Sequence, residues 1–472
     1  VKLLNRPDLA MHYHNKPYDQ LKVGDTAELT RICTEDDFYA FASNSGNHNP
    51  LHLADEDGDG DSVNEAIAPA MFVGALISAV LGNILPGAGT LYKSQSLEFC
   101  GRALAGDELV ARVEVLEKRK DREVVLDTSV TRVRDGALMV SGTAVVIAPE
   151  TEMSFHEIEV PGLVVQRHRH FDALLERSRP LPAMPTAVVA PEEPNSLGGA
   201  LLAARETIID PIFVGDPDKI LAAAREIGSE LDPAQIVPVE GHAEAAHAAV
   251  DLVADGRAQA LMKGHLHTDD LLHAALRRER GLRVGRRFTH VFVMDIPGQP
   301  HPLLVTDAAI NIEPDLETKI DITQNAIDLA ISIGIGAPKA GILSAVETVN
   351  PAIRSSMDAA LLSKMAERGQ IKGGLVDGPL AMDNAVSLAA ARTKGIVSEV
   401  AGQADILVVP NLDAGNMLAK QLTYIAHAEA AGVVLGAKVP IILNSRADDD
   451  KARLASCAVA ALHASRQPGA YK

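Results

Sequence analysis

Between an apolar run, Val439 to Leu443, and a renewed helical pattern, the chain reads Asn444-Ser445-Arg446-Ala447-Asp448-Asp449-Asp450. The run has the length and branching of a buried strand. These polar groups therefore fall where a strand leaves a sheet, which is where open α/β sheets bind ligands. The donor fork of Arg446 suits a phosphoryl group, the Ser445 hydroxyl can bond a thiol or an oxyanion, and a neighbouring Asp can take a proton. Such a set suits transfer of an acyl group between phosphate and a thiol. The plainer reading is a polar N-cap with an acidic first turn.

Other polar clusters close other expected strands. Lys263-Gly264 with Thr268 at the next helix start forms a candidate phosphate cradle, although the Walker order of Gly, Lys and Ser/Thr is absent. His265 and His267 read as loop residues, since no carboxylate or Cys stands beside them at ligand spacing. Asp307 and Asp383 end two further strands, Asn416 opens a helix, and Lys420 follows one turn later. Turn chemistry alone also uses Asp, Asn, Gly and Pro at such places. The expectation is that all of these groups share one edge of one sheet.

The elements that must position them follow from pattern. From Thr186 onward, apolar strands alternate with Ala-rich helices, which implies a largely parallel sheet flanked by helices. Strands are expected at Thr186–Ala190, Pro211–Gly215, Ala258–Lys263, His290–Met294, Leu303–Thr306, Ala340–Ser344, Gly374–Asp377, Ile406–Val409 and Val439–Asn444. So many strands should divide into two subdomains with a cleft. Before them, Ala68–Leu85 is apolar nearly all round and predicts a buried helix. Leu109–Glu117, Val124–Arg134 and Ala137–Ile147 alternate with period two, as half-buried antiparallel strands do. A helix wrapped by a curved antiparallel sheet fits that pattern. Residues 1–150 thus read as an α+β domain, 151–185 as a short helix and linker, and 186–472 as an α/β domain. The Arg/His cluster Gln166–His170 reads as a solvated helix face.

Length agrees, because 472 residues exceed one ordinary core. A net charge of −19 argues against nucleic acid or an anionic membrane as partner, though local Arg and Lys can still hold a small anion. The three cysteines are widely spaced and form neither a disulfide framework nor a metal pattern, which suits a reducing cytoplasm. No secretory signal pattern and no bilayer-length apolar run is read.

The segments LMKGHLHT, TDAAINIEPDLETK, AVETVNP, VDGPLAMDNAVS, KGIVSEVAG, ADILVVPNLDAGNMLAKQL and PIILNSRADDDKARL follow one another between Leu261 and Leu454. In that order they resemble the phosphate acetyl/butyryl transferase family, over about residues 186–463. The resemblance implies a two-subdomain α/β fold of the isocitrate/isopropylmalate dehydrogenase type, a homodimer or higher homo-oligomer, and an active site in the cleft. It implies interconversion of acyl-CoA plus phosphate with acyl phosphate plus CoA. Coenzyme A is then a substrate, with no tightly bound cofactor and no metal. Acetyl is the default acyl group. By the same likeness Ser445 meets the thiol or oxyanion, Arg446 the phosphoryl group, and Asp448 is taken as the base, while Lys263, Gly264, Thr268, Asp307, Asp383, Asn416 and Lys420 are expected to bind substrate.

Phe38 to Asp55 reads FYAFASNSGNHNPLHLAD and precedes the apolar helix. This resembles the MaoC-like hot-dog dehydratases, (R)-specific enoyl-CoA hydratases among them, over about residues 18–148. In that family an Asp and a His five residues later activate water. His52 stands at the His position, but Asn47 occupies the Asp position, and an amide cannot take a proton near neutral pH. The favoured reading is an acyl-CoA-binding or dimerising module. The rival is a working hydratase in which Asn47 orients water for His52, making the chain bifunctional.

Overall fold

The computed structural model describes residues 12–60, 64, 66–156, 168–444 and 450–466. Ser445, Arg446, Asp448 and Asp449 lie outside the described residues. The chain forms two compact units, Val1–Val165 and Gln166–Lys472.

In the first unit the strands are β1 (His12–His14), β2 (Thr26–Ile32), β3 (Leu91–Gln95), β4 (Glu98–Phe99), β5 (Glu108–Lys118), β6 (Glu123–Arg132), β7 (Leu138–Ile147) and β8 (Ser154–His156). Two helices accompany them, α1 (Glu35–Ser45) and α2 (Ala70–Asn83). The main sheet runs β2-β5-β6-β7-β3, with β4 also on β7, and its pairings are antiparallel. Along β5 the buried side chains are Leu109, Ala111, Val113 and Val115, the period-two face expected. Register shifts at Val115/Glu117, Val130/Thr131 and Tyr92/Ser94 add twist. They curl the sheet around α2, whose Ile77, Val80 and Leu81 are fully buried. Each such side chain contributes roughly 2 kcal/mol of burial. Helix α1 starts with a capping box, in which Thr34 Oγ1 accepts from the Asp37 N–H and the Asp37 carboxylate accepts from the Thr34 N–H. The strands β2 and β3 carry weaker patterns and were not expected; β3 is an edge strand with exposed side chains.

The second unit holds one sheet of eleven strands. They are β9 (Met184–Val189), β10 (Ile209–Gly215), β11 (Ile236–Pro238), β12 (Ala260–Lys263), β13 (Thr289–Asp295), β14 (Leu303–Thr306), β15 (Lys339–Leu343), β16 (Leu375–Leu380), β17 (Ile406–Val408), β18 (Glu429–Leu435) and β19 (Ile441–Ile442). Their spatial order is β11-β10-β9-β12-β19-β18-β13-β14-β17-β15-β16. The first five are mutually parallel, and so are the last four. Between these groups β18 pairs antiparallel with β19 and β13, and β13 antiparallel with β14. Three reversals leave the two parallel groups pointing in opposite directions. The expectation of one shared edge is therefore corrected: Lys263 and Asn444 follow strands of one group, Asp307 and Asp383 strands of the other.

Helices that bear on function are α3 (Arg169–Ser178), α4 (Pro194–Arg205), α5 (Pro217–Glu226), α6 (His242–Ala254), α7 (Thr268–Leu276), α8 (Leu316–Ser332), α9 (Arg354–Glu367), α10 (Met382–Val386), α11 (Leu388–Thr393), α12 (Leu412–Tyr424) and α13 (Asp450–Ser465). Helix α13 is buried on nearly every side, with Cys457, Ala458, Val459 and Ala460 at zero exposure. Its Arg453 stem fills the space a Cβ at Gly199 would take. The cluster read as a solvated face behaves otherwise. His168 Nδ1 lies 3.1 Å from the Glu429 carboxylate, its Nε2 lies 2.8 Å from the His427 carbonyl oxygen, and His170 Nε2 lies 3.0 Å from that of Gln299. Phe171 beside them is fully buried.

Helices α8 and α9 are joined by a buried ion pair, Lys319 Nζ to Asp358 Oδ2 at 2.7 Å. Removing Lys319 leaves the buried Asp358 carboxylate only the longer contact to the exposed Arg354, at 3.7 Å. Lys319→Met should cost about 3 kcal/mol of unfolding free energy, read from urea denaturation; a loss within experimental error would show the pair to be dispensable.

Candidate functional site

Chain leaving β12 and β19 at one edge, and chain leaving β14 and β17 at the other, converge over one face of the sheet. There they enclose a cavity of about 390 Å³. Thr268 at the start of α7 lines it, as do His290 and Phe292 of β13, and Glu429 and Ala430 of β18. Asn444 and Ala452 line it from either side of the undescribed segment. One face of α12 closes it with Asn416, Ala419, Lys420, Thr423 and Tyr424, the spacing that aligns side chains on a helix.

Two glycines allow these elements to approach. A Cβ at Gly415 of α12 would stand 2.7 Å from Val409 Cγ2 and 2.9 Å from the Asp307 carbonyl oxygen. A Cβ at Gly432 would stand 2.5 Å from the Leu443 carbonyl oxygen and 3.1 Å from His290 Nε2. His290 packs edge-on against Phe292, with centroids 4.3 Å apart. Burial lowers the His290 pKa to about 3, so the ring is neutral and adds no charge to the cavity floor. Among the described residues Lys420 has no carboxylate partner, so its charge is open to an anion.

Three expected binding residues, Thr268, Asn416 and Lys420, come together here, and four do not. Gly264 is needed because a Cβ there would overlap the Val189 carbonyl oxygen. Its N–H and that of His265 donate to the Val189 and Ala190 carbonyls at 2.8 and 2.7 Å. Those two N–H groups are therefore spent within the turn, while the first turn of α7 has no side-chain cap at His267 and keeps its N–H groups for a ligand. Lys263 is half-buried with its ammonium 3.4 Å from the Gly264 carbonyl oxygen. Asp307 is 2% exposed and spends its carboxylate on its own turn. It accepts from the Ala309 and Ile310 N–H groups at 3.0 Å and from Asn311 Nδ2 at 2.6 Å. Burial raises its pKa against those donors. Asp307 thus holds the loop that carries Ala309 to the cavity. Asp383 is exposed on α10, after the last strand of the sheet, near the Glu347–Lys394 ion pair.

His290, Phe292, Tyr424 and Glu429 were given no role from sequence, and Asn444 was read only as the start of the Ser445-Arg446 turn. The alternation in His290-Val291-Phe292 was the available signal for the first two. Cys457 is fully buried with its thiol pushed up to about 12, which excludes it as a nucleophile. Among the described residues, no group of three or more His, Cys, Asp or Glu could hold a metal ion.

In the first unit, His52 ends the short turn Pro50–His52 and is half-buried. Its Nδ1 lies 2.8 Å from the Ile67 carbonyl oxygen. A carbonyl only accepts, so Nδ1 carries a proton, and in the neutral ring Nε2 is the acceptor. Asn47 is exposed, with its Oδ1 accepting from the Asn49 N–H at 3.3 Å. Asp55 accepts from the Tyr39 hydroxyl at 2.5 Å.

These two units, one a mixed α/β sheet with a polar cleft and the other a curved antiparallel sheet around a helix, define a two-domain protein with one candidate site in each part. Residues 239–461 match the family model described as phosphate acetyl/butaryl transferase, and residues 18–135 match the MaoC like domain. A phosphate acetyltransferase of Rhizobium meliloti is 55% identical over 300 residues, covering 64% of this chain and 95% of that protein. A phosphate butyryltransferase of Clostridium beijerinckii is 40% identical over 298 residues, 63% of this chain and 99% of its own. The crystal structure of a branched-chain phosphotransacylase from Enterococcus faecalis V583 superposes with a TM-score of 0.52 at 33% identity, over 59% of this chain and 98% of that one. The chain belongs to the phosphate acetyl/butyryl transferase family, and carries a MaoC-like hot-dog domain before the transferase part.

One buried and one partly buried histidine set an acid limit. His290 titrates near 3 and His463 near 4, against about 6.5 for an exposed His. Below 6.5 the unfolded chain binds protons that the folded chain refuses, so stability falls as pH drops through that window. Melting temperature should decline from pH 6.5 toward 4, and His290→Phe should flatten part of the slope; an unchanged slope would count against the buried neutral ring.

Proposed function

We propose that the second unit interconverts acyl-CoA and phosphate with acyl phosphate and free CoA, with acetyl the default acyl group. The observation that carries this reading is the position of the cavity. In a member of this family, the open charge of Lys420, with Thr268 and Asn416, stands beside Asn444, immediately before Ser445-Arg446.

In the acyl-CoA-forming direction, Asp448 takes the thiol proton, because the thiolate is the nucleophile. The sulfur attacks the acyl carbonyl carbon while the Ser445 hydroxyl donates to the oxygen gaining charge. As the carbon–sulfur bond forms, the bond from that carbon to the phosphate oxygen breaks. Phosphate departs with its electron pair, held by Arg446 and Lys420. The reverse sequence makes acyl phosphate. A cavity of this size accommodates the reacting ends of the two substrates. We read the unit, residues 186–472 with 151–185 leading into it, as a two-subdomain fold of the isocitrate/isopropylmalate dehydrogenase type. The chain is further read as a cytoplasmic homodimer or larger homo-oligomer that works without a tightly bound cofactor.

Phosphate-dependent release of free CoA from acetyl-CoA and butyryl-CoA tests the assignment, with crotonyl-CoA hydration followed in parallel. Ser445→Ala or Arg446→Ala should lower transfer at least tenfold; near-native rates in both variants would remove these residues from the reaction.

A second reading rests on His52, whose Nε2 is left as the acceptor by the Ile67 bond. It has the tautomer that a water-activating base requires, but Asn47 provides no second carboxylate. Asn47→Asp should raise crotonyl-CoA hydration at least tenfold. No gain would mean that the domain lacks more than this one group.

A further inference from the structure

A second cavity, of about 580 Å³, lies in the transferase unit away from the cleft residues. Its floor is the turn Leu435-Gly436-Ala437 where β18 ends, one wall is α8 with Asp328, Ile331 and Ser332, and the other is α13 with His463 and Arg466. Val284, Arg286, Asn325 and Lys438 complete the lining. Its volume falls within the roughly 300–1,000 Å³ usual for small-molecule sites.

The charge there runs against the molecule's. In a chain of net charge −19 this cavity gathers three permanent cations and one carboxylate. That carboxylate, Asp328, is already matched by Arg286 at 2.6 Å. Among the described residues neither Lys438 nor Arg466 has an acidic partner, and both are exposed. His463 is held neutral by burial and lies 3.2 Å from Ser332 Oγ. Val284 is 53% exposed, and with Ile331 and Leu435 it gives the cavity an apolar side. Two unmatched cations beside apolar surface in a concave site fit an anion with an apolar body.

The two cavities share two elements. Strand β18 puts Glu429 and Ala430 in the cleft and Leu435 in the second cavity. Helix α13 puts Ala452 in the cleft and His463 in the second cavity, with Arg466 just past its end. Both elements are buried and tied together, since the Gly432 N–H donates to Ser456 Oγ at 3.1 Å. These shared elements are the physical connection between the two cavities.

We propose that the second cavity is an effector site for a phosphorylated metabolite of nucleoside monophosphate size, its phosphate held by Lys438 and Arg466 and its body against Val284, Ile331 and Leu435. Binding stands independently of the reaction assigned to the cleft, while the effect on turnover rests on that reading.

Calorimetric titration of the full chain with adenosine 5′-monophosphate provides the test, with adenosine and inorganic phosphate as body-only and head-only probes. The nucleotide should bind at least tenfold more tightly than either part. Lys438→Glu and Arg466→Glu should each weaken it at least tenfold without altering oligomeric state or basal CoA release. Lys420→Ala should leave it unchanged, and a loss in that variant would place the nucleotide in the cleft and overturn the proposal. Absent binding, or binding indifferent to both charge reversals, overturns it as well. A saturating nucleotide should also change KM or kcat of wild-type CoA release at least twofold and leave the reversed variants unaffected. Binding with unchanged kinetics refutes the effector role. A chain that binds the nucleotide but releases no CoA refutes the transferase reading alone.

Discussion

Three successive antiparallel pairings at the centre of the eleven-stranded sheet, β19 with β18, β18 with β13 and β13 with β14, decide where everything else can go. A wholly parallel sheet would send every strand-to-helix turn to a single edge. Here the two parallel groups face opposite ways, so their turns reach a common place only by folding over the sheet face. The cleft forms at that meeting, above the strands that cause the reversal. Close packing is then required at the crossing points. Gly415 lets α12 rest on the Asp307 turn, and Gly432 leaves room for the His290 ring beneath the cavity.

The segment expected to carry the chemistry is bounded by fixed structure. On one side β19 is fully buried and paired with two strands. On the other, Lys451 pairs with Asp172 at 3.0 Å and donates to the His168 carbonyl at 3.3 Å. Ser456 then joins α13 to the floor strand through the Gly432 N–H. The short helix α3, with His168 and His170 bonded to the same edge, belongs to this support.

Much of this was legible because burial writes a period into a sequence. The helix expected over Ala68–Leu85 forms over Ala70–Asn83, and the three alternating strands that follow begin and end within about two residues of expectation. Strand β18 was not legible: its Ala430, Ala431 and Gly432 look like helix or loop, and Gly432 has no side chain because an imidazole and a neighbouring backbone fill the space. Strand direction was equally hidden, since an apolar run has no polarity of its own. The polar turns gave partial answers for a related reason. Asp307 and Gly264 are the right types for a ligand site and also for a tight turn, and only their hydrogen bonds distinguish the uses. Lys420 and Asn416 needed no such distinction, lying one helical turn apart on a face that had to look somewhere.

Asn47 in the hot-dog domain has an evolutionary consequence. Its Oδ1 already accepts the Asn49 N–H that fixes the loop before His52, and a carboxylate oxygen at the same atom could accept it equally well. Asparagine and aspartate codons differ at a single first base. The conformation of the loop is thus neutral to the exchange while the proton chemistry is not. A single transition at that codon would therefore place a carboxylate at position 47 without removing the acceptor on which the loop depends.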